Sequence, residues 1–136
     1  MTIDPAHLRD LAKRYTAAWC SQDPEGVAAF FAPNGLLSVN GVPAVGRSAI
    51  TEVARGFMTA FPDMILTMED LVVSGDGATY HWTFDGTNTR PGGTGKWVRI
   101  GGYEEWTFGA DGLISESQGH FDEADYQRQL KYGFEE

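Results

Sequence analysis

The stretch Lys96-Trp-Val-Arg-Ile-Gly-Gly-Tyr-Glu-Glu-Trp-Thr-Phe108, Gly109-Ala-Asp-Gly112, Leu113-Ile-Ser-Glu-Ser-Gln-Gly-His-Phe-Asp122 decides how this chain folds. β-branched and aromatic residues flank a four-residue turn ending in Asp-Gly, the composition of a long antiparallel hairpin. A short helix follows, opened by Asp122, whose carboxylate can cap free amides, and closed near Tyr132 before Gly133. Carboxylates and a histidine stand inside the two strands. Ionisable groups in apolar strands either tie a structure together or carry chemistry, so function turns on which way they face.

Upstream of the hairpin the period is also two. Met64, Leu66 and Met68 alternate with Ile65, Thr67 and Glu69, and after Leu71-Val72-Val73 a Gly75-Asp76-Gly77 turn leads into a strand over Thr79 to Thr87. In that strand Tyr80, Trp82 and Phe84 share one face, set toward the helices, and His81, Thr83 and Asp85 the other. The glycine-rich segment from Asn88 to Gly95 is a loop at the rim of the sheet. The N-terminal half is helical. Asp4-Pro5 opens a helix whose Leu8, Leu11, Ala12, Tyr15, Ala18 and Trp19 lie on one face. Asp23-Pro24 opens a second, short helix carrying Val27, Phe30 and Phe31 and stopped by Ala32-Pro33-Asn34-Gly35. A short strand over Leu36 to Val39 turns at Asn40-Gly41-Val42-Pro43, and Ile50, Val53, Ala54, Phe57, Met58 and Phe61 mark a third amphipathic helix. This order predicts an α+β fold, a cone-shaped curved antiparallel sheet packed on three N-terminal helices, with an interior suited to a small ligand. A length of 136 residues predicts one domain over residues 1–136.

Hydrophobic residues make up 42% of the chain and aromatic ones 12%, which excludes disordered and fibrous classes. No apolar run approaches the roughly 20 residues that span a bilayer, and the first residues lack the basic start and apolar core of a secretory signal. A formal net charge of −9 repels phosphate backbones and anionic lipid, so neither nucleic acid nor a membrane is an expected partner. One cysteine, Cys20, rules out an internal disulfide and suits a cytoplasmic protein. Three scattered histidines offer no metal-ligand spacing, Gly92-Gly93-Thr94-Gly95 lacks the lysine and helix of a phosphate loop, and no cofactor is expected.

Tyr15-Thr-Ala-Ala-Trp19, Asp23-Pro-Glu-Gly-Val-Ala-Ala-Phe-Phe-Ala-Pro33, Gly46-Arg47, Phe61-Pro-Asp63, Trp82 with Gly86-Thr87-Asn88, Asp111-Gly-Leu-Ile-Ser-Glu116, Phe121-Asp122 and Arg128-Gln-Leu130 run in this order over nearly the whole chain. Together they resemble the SnoaL-like branch of the nuclear transport factor 2 superfamily. That resemblance implies a cone-shaped fold with one deep pocket, often paired as a homodimer through the outer sheet face. It spans polyketide cyclases, epoxide hydrolases, ketosteroid isomerases, dehydratases and non-catalytic binding proteins, so it leaves function open. In the cyclases of this branch an aspartate late on the last strand is the base, with a histidine on the preceding strand nearby. Alignment on Asp111-Gly112-Leu113-Ile114 puts Gly119 at the aspartate position and Glu105 at the histidine position.

Hydrophobic phase and alignment disagree in the strand before the turn. The former sends Ile100, Glu104, Trp106 and Phe108 inward, the latter Tyr103, Glu105 and Thr107. The alignment is preferred, because a dimer interface would account for aromatic residues on the outer face. Glu105 in an apolar cone would have a raised pKa suited to proton transfer, Tyr103 would hold a carbonyl oxygen, and His120 or Asp122 could replace the aspartate from one or three residues further on. The alternatives are an ion pair with Arg99 or Arg47 or a solvent-facing position for Glu105, a backbone contact for His120, a helix cap for Asp122, and a solvated or interface carboxylate for Glu104. Tyr15, Trp19, Phe30, Phe57, Phe61 and Trp82 would wall the pocket with Gly119, and Asn40 could add a polar handle. Two functions fit. One is a cofactor-independent acid/base enzyme (isomerase, dehydratase/hydratase or cyclase) acting on a hydrophobic small molecule, with Glu105 or His120 as base. The other is a non-catalytic ligand-binding or accessory dimeric module that has lost the catalytic aspartate.

Overall fold

The computed structural model describes residues 4–75 and 77–134. Helix α1 spans Pro5–Cys20, and Asp4 caps it by accepting from the Ala6 amide at 3.1 Å. Its buried face is Leu8, Leu11, Ala12, Tyr15 and Trp19, at the three-and-four spacing of one helical stripe. Helix α2, Pro24–Ala28, is capped by Asp23 through the Gly26 amide and stops earlier than its pattern predicts. Phe30 and Phe31 are not helical: strand β1 begins at Phe31 and runs to Val39. Pro33 cannot donate to a ladder, and the β1 pairing is irregular between Phe31 and Leu36, on either side of it.

The expected four-residue turn is only Asn40-Gly41, both with positive φ as a tight hairpin turn demands, and strand β2 follows at Val42–Val45. Helix α3 covers Arg47–Ala60, with Ile50, Ala54 and Met58 buried. Strands β3 (Ile65–Ser74), β4 (Gly77–Thr87), β5 (Trp97–Phe108) and β6 (Ile114–Phe121) precede helix α4 (Glu123–Tyr132). Asp76, in the turn expected between β3 and β4, lies outside the described residues.

The six strands form one curved sheet in the order β2-β1-β6-β5-β4-β3. Neighbours are antiparallel except β1 and β6, which run parallel, a correction to the all-antiparallel expectation. Bulges break the ladder between Met68 and Asp70 and between Thr107 and Phe108. Bulges bend and twist a sheet, and here they help to make its helix-facing side concave.

Two recurrent motifs prove to be clamps. Asp63 accepts from the Thr87 amide at 2.7 Å, and Asn88 donates to the Ala60 carbonyl at 3.2 Å while accepting from the Thr94 amide at 2.8 Å. Together they fasten the end of α3 to the rim loop. Helix α4 is tied down by Gln129, buried, which accepts from the Arg99 amide at 2.7 Å.

Candidate functional site

Between the concave sheet and the helices lies a cavity with about 70 Å³ open to the centre of a water molecule. Trp19 comes from α1, Val53 and Phe57 from α3, Leu37 and Val39 from β1, Leu66 from β3, Trp82 and Phe84 from β4, Ile100 and Glu104 from β5, Gly119 and Phe121 from β6, and Tyr126 from α4. Met64 completes the wall. Apart from Glu104 the lining side chains are apolar or aromatic, which suits a hydrophobic occupant. The Nε1–H groups of Trp19 and Trp82 are buried and meet no acceptor at hydrogen-bonding geometry. Trp19 is nonetheless close enough to the Tyr15 phenol to favour its ionised form.

Glu104 is the charged group of this wall. Ser117 Oγ donates to its Oε1 at 2.7 Å, Trp106 Nε1 at 3.0 Å, and the Tyr15 hydroxyl to Oε1 at 3.0 Å and Oε2 at 3.2 Å. All three donors are neutral and buried, and among the described residues no cation lines the cavity. Burial raises the Glu104 pKa, and the bonds from Trp106, Ser117 and Tyr15 offset only part of that rise. Oε2, reached only by the longer Tyr15 contact, keeps capacity to hold a proton or meet a ligand. Tyr15 is itself held protonated, first by burial and then by the Glu104 charge. Behind it Tyr80 stacks on Trp106 at 4.8 Å and donates to Thr16 Oγ1, whose own hydroxyl donates to the Ala12 carbonyl.

The strand phase expected from the alignment is corrected. Val98, Ile100, Glu104, Trp106 and Phe108 are the buried series of β5, and Tyr103, Glu105 and Thr107 lie on the outer face. A bulge at the β5–β6 turn sets the register of the pair: Phe108 pairs with Ile114, but Thr107 pairs with Glu116, so Ser115 is the extra residue. Counting across the turn without it puts every later residue one place out of phase. With it, Glu104 stands directly opposite Gly119. A Cβ at Gly119 would lie 3.7 Å from Glu104 Cγ, so the Glu104 side chain fills the space beside the position where the alignment sets an aspartate.

Tyr103, Glu105 and His120 do come together, outside the cone. His120 Nε2 sits 3.1 Å from Glu105 Oε1, with both side chains substantially exposed, and the Tyr103 ring lies 4.9 Å from His120 and 5.9 Å from His81. Asp122 caps α4 by accepting from the Asp125 amide at 3.0 Å and does not line the cavity. Of the expected wall, Trp19, Phe57, Trp82 and Gly119 line it. Tyr15 reaches the site only through Glu104. Phe61 is core, packed on Phe84 at 4.9 Å. Phe30 packs on the far side of Tyr15 and faces a different surface groove. Asn40 accepts from the Phe121 amide at 2.9 Å, pinning the end of β1 to β6, and offers the cavity nothing. Ser117, Phe121 and Tyr126 escaped the sequence reading. The first two could have been found from Gly119 alone, since Ser117, Gly119 and Phe121 share one face of β6.

Comparison with known proteins agrees with this fold. The SnoaL-like domain model matches residues 12–117. No curated protein matches the chain in sequence. Among solved structures, TsrD from Streptomyces laurentii is 26% identical over 94% of this chain and 97% of its own, with a TM-score of 0.82. A protein of ketosteroid isomerase-like fold from Catenulispora acidiphila, in complex with trimethylamine, is 16% identical over 89% of this chain and 92% of its own (TM-score 0.79). TerC, co-crystallised with polyporic acid, is 18% identical over 90% of this chain and 97% of its own (TM-score 0.77).

Proposed function

Because the chain belongs to the SnoaL-like domain family, we propose that it is a cofactor-independent acid/base enzyme acting on a hydrophobic small molecule, with Glu104 as the group that moves the proton. The observation that carries this reading is a carboxyl enclosed in an apolar cavity, held by three neutral donors and without a cation. Such a carboxyl keeps its proton to higher pH than an exposed one and is a stronger base once ionised. Proton removal beside a carbonyl, as in isomerisation, dehydration or ring closure, needs this property. The trimethylamine and polyporic acid of the two neighbours support a small-molecule site in this fold.

In this reading the donors have separate tasks. Ser117 and Trp106 fix Oε1, so Oε2 is the oxygen that exchanges a proton with the ligand. Tyr15 positions the carboxyl and shares the charge when it ionises. The absent aspartate does not remove the chemistry, because Glu104 supplies a carboxyl across the same strand pair. The test is exchange of the C1 hydrogens of 2-tetralone in D2O, followed by proton NMR. The chain should accelerate it, and Glu104→Gln should slow it by at least about a hundredfold. No acceleration by the wild type, or the same rate in the variant, would refute the reading.

Gly119 at the aspartate position favours a second reading, a ligand-binding or accessory module in which Glu104 is structural; that protein would bind hydrophobic ketones without exchanging their protons. In either case we place the protein in the cytoplasm as a homodimer paired through the outer sheet face, where Tyr103, Val72 and Ile65 are exposed. Sedimentation equilibrium of a Tyr103→Asp variant tests the pairing, since a charge there should leave monomers.

A further inference from the structure

The cavity wall is an aromatic enclosure around an uncompensated acid. Trp19 meets Phe57 edge to face at 6.3 Å, Trp82 meets Phe121 at 6.1 Å, and Phe121 meets Tyr126 at 5.4 Å. All five line the same space as Glu104, and among the described residues no lysine, arginine or histidine does. Ring faces carry partial negative charge and attract cations, most strongly for indole. A carboxylate in such a place lacks only a positive charge. A metal ion or a primary ammonium group would have to shed tightly held water and would find few acceptors in this wall. An alkylated ammonium group has an apolar exterior, is weakly hydrated and needs no acceptor for each of its substituents. The chain's net charge of −9 adds a long-range attraction for cations.

We propose that the cavity takes a compact organic cation, a tertiary or quaternary ammonium group carried by a hydrophobic molecule, with Glu104 as counter-ion and Trp19, Phe57, Trp82 and Phe121 as the cage. This rests on the cavity being the ligand site and narrows the ligand's chemistry. Binding is coupled to one proton. A quaternary ammonium group needs the carboxylate, so it expels the Glu104 proton to solvent. A tertiary amine entering as the free base takes that proton inside the cavity: the O–H bond breaks, an N–H bond forms, and no proton leaves. The titratable neighbours of Glu104 are Tyr15 from α1 and Tyr80 from β4, and burial keeps both phenols protonated. Glu104 alone therefore sets the pH dependence.

Calorimetric titration of the full chain with choline and with its uncharged isostere 3,3-dimethylbutan-1-ol, from pH 5 to 8, tests this. Choline should bind at least about tenfold more tightly at pH 8. Its affinity should fall about tenfold per pH unit below the Glu104 pKa, while the alcohol's stays level. Glu104→Gln should bring the two ligands within about threefold of one another. Equal affinities at pH 8, a choline preference that ignores pH, or one that survives Glu104→Gln would each overturn the proposal. If the variant does not fold, the wild-type pH profile decides. Tetralone exchange without a choline preference would remove the cage and leave the acid/base reading standing; a choline preference without exchange would do the reverse.

Discussion

Replacing Glu104 by glutamine keeps the shape of the side chain and removes its ionisation, which gives a stability difference whose pH dependence follows from the structure. The amide oxygen can still accept from Ser117 and Trp106, and its NH2 group can turn to the Tyr15 oxygen. At pH 4, where Glu104 is neutral in the folded chain and mostly neutral in the unfolded one, wild type and variant should therefore agree within about 1 kcal/mol. In the unfolded chain Glu104 ionises near its ordinary value of about 4.3. In the folded chain burial raises that value. Between the two, the folded form binds more protons than the unfolded form, so wild-type stability falls as pH rises. The loss relative to the variant is about 1.4 kcal/mol for each pH unit of that window, and it levels off above the folded pKa. For a chain of this size each kcal/mol moves the melting temperature by about 3 °C. Urea and thermal unfolding, followed by tryptophan fluorescence from pH 4 to 8, give the two curves, and other titrating groups cancel in their difference. Parallel curves would refute the reasoning, because they would mean that Glu104 titrates as an exposed carboxyl does.

Tyr15→Phe removes the only donor to Glu104 Oε2 among the described residues; it should cost about 1–3 kcal/mol in urea unfolding and push the Glu104 pKa higher still in a carbon-detected NMR titration. Gly119→Asp places a second carboxyl against the first, with its Cβ 3.2 Å from the Ser38 carbonyl. The pair should share one proton, and the variant should be destabilised by about 3 kcal/mol at pH 8 and less at pH 5. Gly102→Ala would set a Cβ 2.5 Å from both the His120 carbonyl and Trp82 Cζ2; about 2 kcal/mol of stability should be lost, with a shift in tryptophan emission as the indole moves into the cavity. Glu105→Ala, by contrast, removes an exposed partner of His120 and should change stability by less than about 0.5 kcal/mol while leaving tetralone exchange intact.

The helical half of the fold was legible because its signals are local. Asp4-Pro5 and Asp23-Pro24 both start helices, and Leu8, Leu11, Ala12, Tyr15 and Trp19 are buried as their spacing requires. The sheet was less so, because pairing is settled between residues far apart in sequence. Nothing near Leu36 announces that its strand will lie parallel to β6, and nothing in Val42-Pro-Ala-Val45 distinguishes a short edge strand from the rest of a turn. In β5 the apolar alternation of Ile100, Trp106 and Phe108 placed Glu104 inside, whereas the family alignment placed Glu105 there. The local pattern prevailed because burying three large apolar groups outweighs the desolvation of one hydrogen-bonded carboxyl. The tertiary partners that make that carboxyl tolerable, Tyr15 and Ser117, are 89 and 13 residues away. No window of sequence could have joined them.

Glu104 and Gly119 face each other across one rung of the sheet. A lineage can therefore relocate its acid from one strand to the next in two substitutions, with the volume between them occupied throughout. Homologues compared column by column would register a lost residue on one strand and an unrelated gain on another. Compared by the space their side chains fill, they would register a single acid that has changed its point of attachment.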